Sequence, residues 1–192
     1  MKKSFKYFVA HKPFRVLTQF TDAVGRKTLA DLFTFPKDVY PVGRLDYDSE
    51  GLLLLTNDKA LTDKLLHPKH KLEKEYFVQV EGTPTEAALT ELRGGVLIEN
   101  KKTLPAKVII LNKPPQFEER IPPIRFRKTI PTTWLGITII EGRNRQVRKM
   151  TAKVGYPTLR LVRIRIGNIH LGNLRPGKVR EINFSEIKLW LI

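Results

Sequence analysis

Asp46 stands in the run Val42-Gly43-Arg44-Leu45-Asp46-Tyr47-Asp48-Ser49-Glu50-Gly51, ahead of four consecutive leucines, Leu52 to Leu55. Such an apolar run bounded by turn residues reads as a buried strand. The sequence therefore sets a carboxylate at the mouth of a core strand, with Arg44 beside it. A carboxylate so placed can act as nucleophile, general base or metal ligand. The structural alternative is an aspartate that closes a turn. As a metal ligand it would need company, and Asp48 and Asp58 lie nearby in sequence. The histidines, His11, His67, His70 and His170, show no ligand spacing, and His67-Pro68-Lys69-His70 reads as a helix end. There is no cysteine, which removes thiolate zinc sites. No glycine-rich phosphate loop is present either, so no nucleotide cofactor is indicated.

Two further positions could share chemistry with Asp46. Arg148 lies in Glu141-Gly142-Arg143-Asn144-Arg145-Gln146-Val147-Arg148-Lys149-Met150. Val147 and Met150 define one helix face there, which leaves Arg145 and Arg148, three apart, together on another. Such a pair can hold a phosphate or anchor a carboxylate, and an arginine beside Asp46 would favour its ionised form. The alternative is a solvated helical face. Tyr76, in Lys74-Glu75-Tyr76, is an aromatic on a strand, which is more often a core residue than a catalytic one.

The charge suggests what the substrate is. The chain carries 35 Lys and Arg against 19 Asp and Glu, a formal net charge of +16. Between Lys113 and Arg165 there are 13 basic and three acidic residues, whereas the remaining 139 residues are nearly balanced, with 22 and 16. A basic stretch of this kind, rich in arginine, reads as a footprint for the phosphates of a polyanion.

The elements that must position these groups follow from periodicity and turn chemistry. Phe5 to Ala10 reads as a first strand, Thr28 to Phe33 as a short helix, and Val39 to Val42 as a strand leading into the Asp46 loop. After Leu52 to Thr56, Asn57 or Asp58 caps a helix bearing Leu61, Leu65 and Leu66. Glu75 to Val80 alternates as a strand. Thr83-Pro84-Thr85-Glu86 reads as a capping box opening a helix through Leu92, ended by Gly94-Gly95. Val96 to Ile98 and Ala106 to Leu111 are further strands. Asn112 to Pro131 holds five of the 13 prolines and no periodicity, and is expected as a long surface loop. Trp134 to Ile140 returns to strand, and Arg145 to Val154 is a helix closed by Gly155. In Leu159 to Ile166 the alternation changes phase, which predicts a bulge near Leu161.

Strands outnumber helices and come in runs, so the fold class is α+β with a mixed, largely antiparallel sheet and flanking helices. At 192 residues the chain is expected to be a single domain of ordinary size or two packed lobes. Apolar runs fall short of the roughly 20 residues of a membrane span. The basic N-terminus is followed by too short an apolar stretch for a signal peptide. A soluble cytoplasmic protein is expected.

Taken together these motifs resemble the ribosomal RNA pseudouridine synthases of the RsuA-like family, and among them the large-subunit (23S) members. The resemblance rests on Gly43-Arg44-Leu45-Asp46 with Ser49 to Asp58, then Lys74-Glu75-Tyr76, then Glu141 to Met150, then Leu159-Arg160-Leu161-Val162-Arg163. Pro122 to Leu135 resembles the large-subunit members as well. Where the family's first motif reads Asn-Lys-Pro, this chain has His11-Lys12-Pro13. A catalytic domain is expected from the start of the chain, with no S4 RNA-binding domain.

What this resemblance implies is a pseudouridine synthase catalytic domain with an active-site cleft across its sheet. A specific uridine of large-subunit ribosomal RNA would be flipped out of its helix and isomerised, without metal or cofactor. Asp46, Tyr76 and Arg148 would be catalytic. Asp46 would start the bond exchange, Tyr76 would stack on the uracil and take the C5 proton, and Arg148 would pair with Asp46. Arg44 would fill the space of the flipped base and Leu161 would wall the pocket. Arg125, Arg127, Lys128, Arg143 and Arg145 would bind the RNA, and a monomer is expected. Two other classes compete with this enzyme. One is a non-catalytic RNA-binding or ribosome-assembly protein, indifferent to loss of Asp46. The other is a metal-dependent phosphodiesterase built on Asp46, Asp48 and Asp58.

Overall fold

The computed structural model describes residues 4–124 and 127–188. Along the chain run β1 (Tyr7–Lys12), a 3-10 turn (Leu29–Asp31), β2 (Tyr40–Pro41), β3 (Glu50–Thr56) and α1 (Lys59–Leu66). Then come β4 (Lys74–Glu81), α2 (Glu86–Gly94), β5 (Leu97–Ile98), β6 (Lys101–Lys102), β7 (Lys107–Ile110) and β8 (Thr132–Ile139). The chain closes with α3 (Gln146–Lys153), β9 (Thr158–Ile166), β10 (Ile169–His170), β11 (Val179–Glu181) and α4 (Phe184–Lys188). The class is α+β, as expected. Two compact units emerge, Met1–Leu72 with Arg163–Ile192, and Glu73–Val162. Strand β9 begins in the second unit and ends in the first.

In the first unit β1 pairs antiparallel with β3 on one side and β11 on the other, and β2 also pairs antiparallel with β3. Every residue of β3 is buried, as its leucine run dictates. Leu53 and Leu55 pack with Phe8, Ala10, Leu29, Val39 and Leu45. Helix α1 starts where Asp58 accepts from Leu61 N through Oδ1, while its Oδ2 accepts from the Tyr7 hydroxyl at 3.0 Å. Burial, then this carboxylate, pushes the Tyr7 hydroxyl up to about 12.

In the second unit β4 pairs antiparallel with β8, and β8 with β7. The alternation of β4 turns Tyr76, Val78 and Val80 inward, onto Leu135 and Ile137 of β8 and Val147 and Met150 of α3. Leu111 to Pro131 contains neither helix nor strand among its described residues, in keeping with its proline content.

Several boundaries move. The first strand runs Tyr7–Lys12 rather than from Phe5, because its partner β3 extends to Glu50 and Lys12 pairs opposite Gly51. Leu66 is 52% exposed, since a helix of eight residues presents only Leu61 and Leu65 inward. The capping box fails as well. Thr85 is the N-cap of α2, accepting from Ala88 N, so Pro84 lies outside the helix rather than at its first position. Around Leu161 the strand is continuous, and Arg160 to Arg163 are all buried. The break in alternation coincides with the passage of β9 from one unit to the other.

Candidate active site

The Asp46 loop belongs to the first unit, and its backbone is held from several sides. Thr18 Oγ1 donates to Leu45 O at 2.6 Å and accepts from Leu45 N at 3.2 Å. Arg15 N donates to Tyr47 O at 2.8 Å, and Ser49 N closes a turn onto Asp46 O at 3.0 Å. These bonds hold the backbone on both sides of Asp46. Asp46 itself is half-buried and Arg44 is exposed.

A residue to which the sequence reading assigned no role is buried in the field of this loop. Lys12 is 0% exposed, at the end of β1. Its Nζ donates to Pro13 O at 2.9 Å and Val16 O at 2.8 Å. Burial pushes its ammonium down from 10.5 to about 7, against the pull of Glu50, Asp48 and Asp46, and Arg163 lowers it further. Gly51 stands opposite Lys12 in the sheet register. It has φ +106°, and a Cβ there would lie 2.3 Å from Arg163 O. Only glycine lets the two backbones approach so closely. Arg163 is buried in turn, and its Nε donates to Leu52 O at 2.8 Å. The available signal was a lysine ending an otherwise apolar strand just before a proline.

The depressed lysine has a stability consequence with a definite sign. Between about pH 7 and 10.5 the folded protein holds Lys12 neutral while the unfolded chain protonates it. Unfolding then takes up a proton, so the contribution of Lys12 to stability rises with pH across that window and is lost as pH falls through it. Urea unfolding of wild type and Lys12→Met at pH 6 and pH 10 tests this. The difference should move in favour of wild type by roughly 3 kcal/mol or more on going to pH 10. A pH-independent difference would mean that Lys12 titrates alike in both states.

The other expected site residues divide by unit. Tyr76, Arg148 and Leu161 lie in the second unit, where Tyr76 and Leu161 join one cluster of buried side chains, 8% and 5% exposed. Arg148 is half-buried on α3, its Nη1 donating to Thr158 O at 3.3 Å. Arg145 is not on the helix. It is the N-cap in a left-handed conformation, φ 51°, so it does not share a helical face with Arg148. Arg143 is half-buried just ahead of α3. Its guanidinium donates to Ile98 O and Lys101 O, which ties the loop before α3 to β5 and β6. Gln146 completes that tie, accepting from Arg143 N and donating to Glu141. Arg127 pairs with Glu81 at 2.7 Å. With Lys128, Gln79 and Thr132 it lines a concavity of about 510 Å³. Arg125 lies outside the described residues.

Among the described residues, no three His, Cys, Asp or Glu side chains converge as a metal site, which gives the phosphodiesterase reading no support. No helix among them is long and apolar enough to cross a membrane.

The family model described as RNA pseudouridylate synthase matches residues 6–153. The chain belongs to the RNA pseudouridylate synthases. It is 61% identical over 162 residues to the ribosomal large subunit pseudouridine synthase E of Vibrio vulnificus, covering 84% of this chain and 68% of that one. The protein of the same name from Xanthomonas axonopodis is 54% identical over 160 residues, covering 82% and 84%. A crystal structure of a pseudouridylate synthase superimposes with a TM-score of 0.79 at 29% identity, over 97% of this chain and 74% of that one. As a pseudouridylate synthase the chain is an RNA isomerase. The Asp46 loop and α3 both fall inside the matched region, as does Tyr76. Leu161 and Arg163 follow it.

Proposed function

We propose that this synthase converts a specific uridine of large-subunit (23S) ribosomal RNA to pseudouridine, with Asp46 as the residue that starts the exchange. The observation that carries the reading is the Asp46 loop, whose backbone is held on both sides of Asp46, at Leu45 and at Tyr47. The names of the relatives support the choice of RNA. The bond from C1′ to N1 breaks, the uracil turns, and C1′ bonds to C5. C5 loses a proton and N1 ends with one. The atoms rearrange without net oxidation or group transfer, so the chemistry calls for no redox or group-carrying cofactor. In this reading Tyr76 supplies the aromatic face for the uracil and takes the C5 proton. Arg148 supplies a cation to the reacting carboxylate, Arg44 fills the place of the flipped base, and Leu161 walls the uracil. Flipping costs a few kcal/mol and least in a loop, which favours an unpaired target. The reading also has the protein act as a cytoplasmic monomer.

Carbodiimide modification and primer extension on large-subunit RNA incubated with the protein tests the proposal. A single new stop is expected; its absence from every ribosomal RNA would overturn the reading. Affinity should come mainly from phosphates, with Arg127 and Lys128 contributing. Arg127→Gln with Lys128→Gln should flatten the dependence of log K on log salt by about one unit. An unchanged slope in filter binding would take this loop out of the footprint.

A further inference from the structure

Arg26 has no part in the reaction as described, yet three hydrogen bonds and an aromatic ring fix it beside the Asp46 loop. The chain after β1 folds back on itself, with Leu17 N donating to Lys27 O at 2.8 Å and Leu29 N to Gln19 O at 2.9 Å. The base of this excursion is tied to the Asp46 loop through Thr18 and Leu45. At its tip Asp22 Oδ2 accepts from Val24 N at 3.2 Å and from Arg26 N at 2.9 Å. Those backbone bonds already hold the turn. The Arg26 guanidinium adds a two-point grip on the same carboxylate, Nε to Oδ2 at 3.1 Å and Nη2 to Oδ1 at 2.7 Å. An exposed ion pair contributes little to stability, whereas a two-point grip fixes the direction of a planar group. Here it sets the guanidinium carbon 5.9 Å from the centroid of the Tyr47 ring, within cation–π range. Tyr47 immediately follows Asp46, and its carbonyl accepts from Arg15 N. The Arg26 side chain stays 47% exposed, while that of Asp22 is 5% exposed.

Electrostatics narrows what this group takes. Asp22 compensates the charge of Arg26 through two nitrogens, and the guanidinium in turn holds the Asp22 carboxyl down to about 2. A cation so compensated offers little to a phosphate. Its flat, exposed face still offers a stacking surface, and unpaired bases of RNA stack on arginine planes and aromatic rings. Flipping a uridine unstacks its neighbours, which leaves a base face open next to the target.

We propose that Arg26, set over Tyr47 and oriented by Asp22, forms a subsite for a base neighbouring the target uridine, and selects RNA by stacking rather than by phosphate contact. The inference rests on the reading of the Asp46 loop as the place where the uridine reacts.

The test compares wild type, Arg26→Lys, Asp22→Asn, Arg180→Lys and Asp46→Asn, each as the full chain acting on large-subunit RNA. Arg26→Lys keeps the charge and loses the plane. It should raise KM about 5- to 100-fold with kcat within about threefold, as for an interaction made equally before and during the reaction. The dependence of log K on log salt should keep its slope within about half a unit, since no phosphate contact is lost. Asp22→Asn decides the sign. It adds one positive charge, which would tighten a phosphate contact, but it releases the guanidinium plane and should raise KM about threefold or more. Arg180 of β11 is likewise paired with a carboxylate, Glu186 at 2.9 Å, and Arg180→Lys should leave KM within about twofold. A KM within about twofold of wild type in Arg26→Lys overturns the proposal, as does a loss confined to kcat, which would make Arg26 a positioning residue. Tighter binding by Asp22→Asn overturns it as well, in favour of a phosphate contact. Should Asp22→Asn fail to fold in thermal melting, Arg26→Lys decides by the same criteria. An active Asp46→Asn would instead overturn the reading of the Asp46 loop. An inactive Asp46→Asn beside an Arg26→Lys of wild-type KM would overturn only the stacking subsite.

Discussion

Asp46→Asn is expected to abolish pseudouridine formation, by about 10⁴-fold or more, while RNA affinity stays within about tenfold of wild type. On the proposed reading the loss follows from removing the nucleophile, because an amide cannot attack C1′ or C6 and then leave as a carboxylate would. Affinity survives because phosphate contacts supply it, and one carboxylate removed from a protein of net charge +16 does not weaken them. The fold should survive too. Leu45, Tyr47 and Ser49 are anchored through backbone groups of the loop, and these bonds do not draw on the Asp46 side chain. The measurement pairs the primer-extension assay with filter binding and thermal melting. A variant that keeps its activity, or that loses its fold along with its activity, would turn Asp46 into a structural residue.

Gly51→Ala is expected to be the most destabilising single methyl group in the first unit. The added Cβ would lie 2.3 Å from Arg163 O and 2.6 Å from Arg163 N, both backbone atoms of an adjacent strand. Neither can yield as a side-chain tip would, and at φ +106° alanine is strained even without a neighbour. A cost above about 4 kcal/mol follows, with a fall in Tm of about 10 °C or more, or no soluble protein at all. Gly142→Ala is the matched control, since nothing lies within 4 Å of its Cβ position. It should melt within about 2 °C of wild type. Equal melting of the two variants would mean that β3 and β9 are not packed as described.

Much of this was legible in the chain. The buried strand β3 could be read because four leucines in a row have no other soluble use, and the loop before it because Gly43, Asp48 and Gly51 are turn residues. The inward face of α3 was visible in the spacing of Val147 and Met150, and the alternation of β4 in Tyr76, Val78 and Val80. These signals are local, and local rules suffice for them. The misreadings were local signals with two readings. Thr83 and Thr85 both fit a cap, and only the start of α2 chose the second. Arg145 fits a helix by composition, but the turn tied by Arg143 and Gln146 leaves it in the left-handed region as the cap.

By itself the sequence determined the family, the class of reaction and the candidate carboxylate, because each is written in contiguous motifs. Tertiary structure alone decided that Lys12 is sealed from water, that Arg143 donates to the carbonyls of β5 and β6, and that Gly51 must be glycine. Those facts depend on strands brought together from far apart, as in the bond from Arg163 to Leu52 across 111 residues. Burial and close approach are properties of the partner strand, and no local pattern in the residue itself records which partner it will meet.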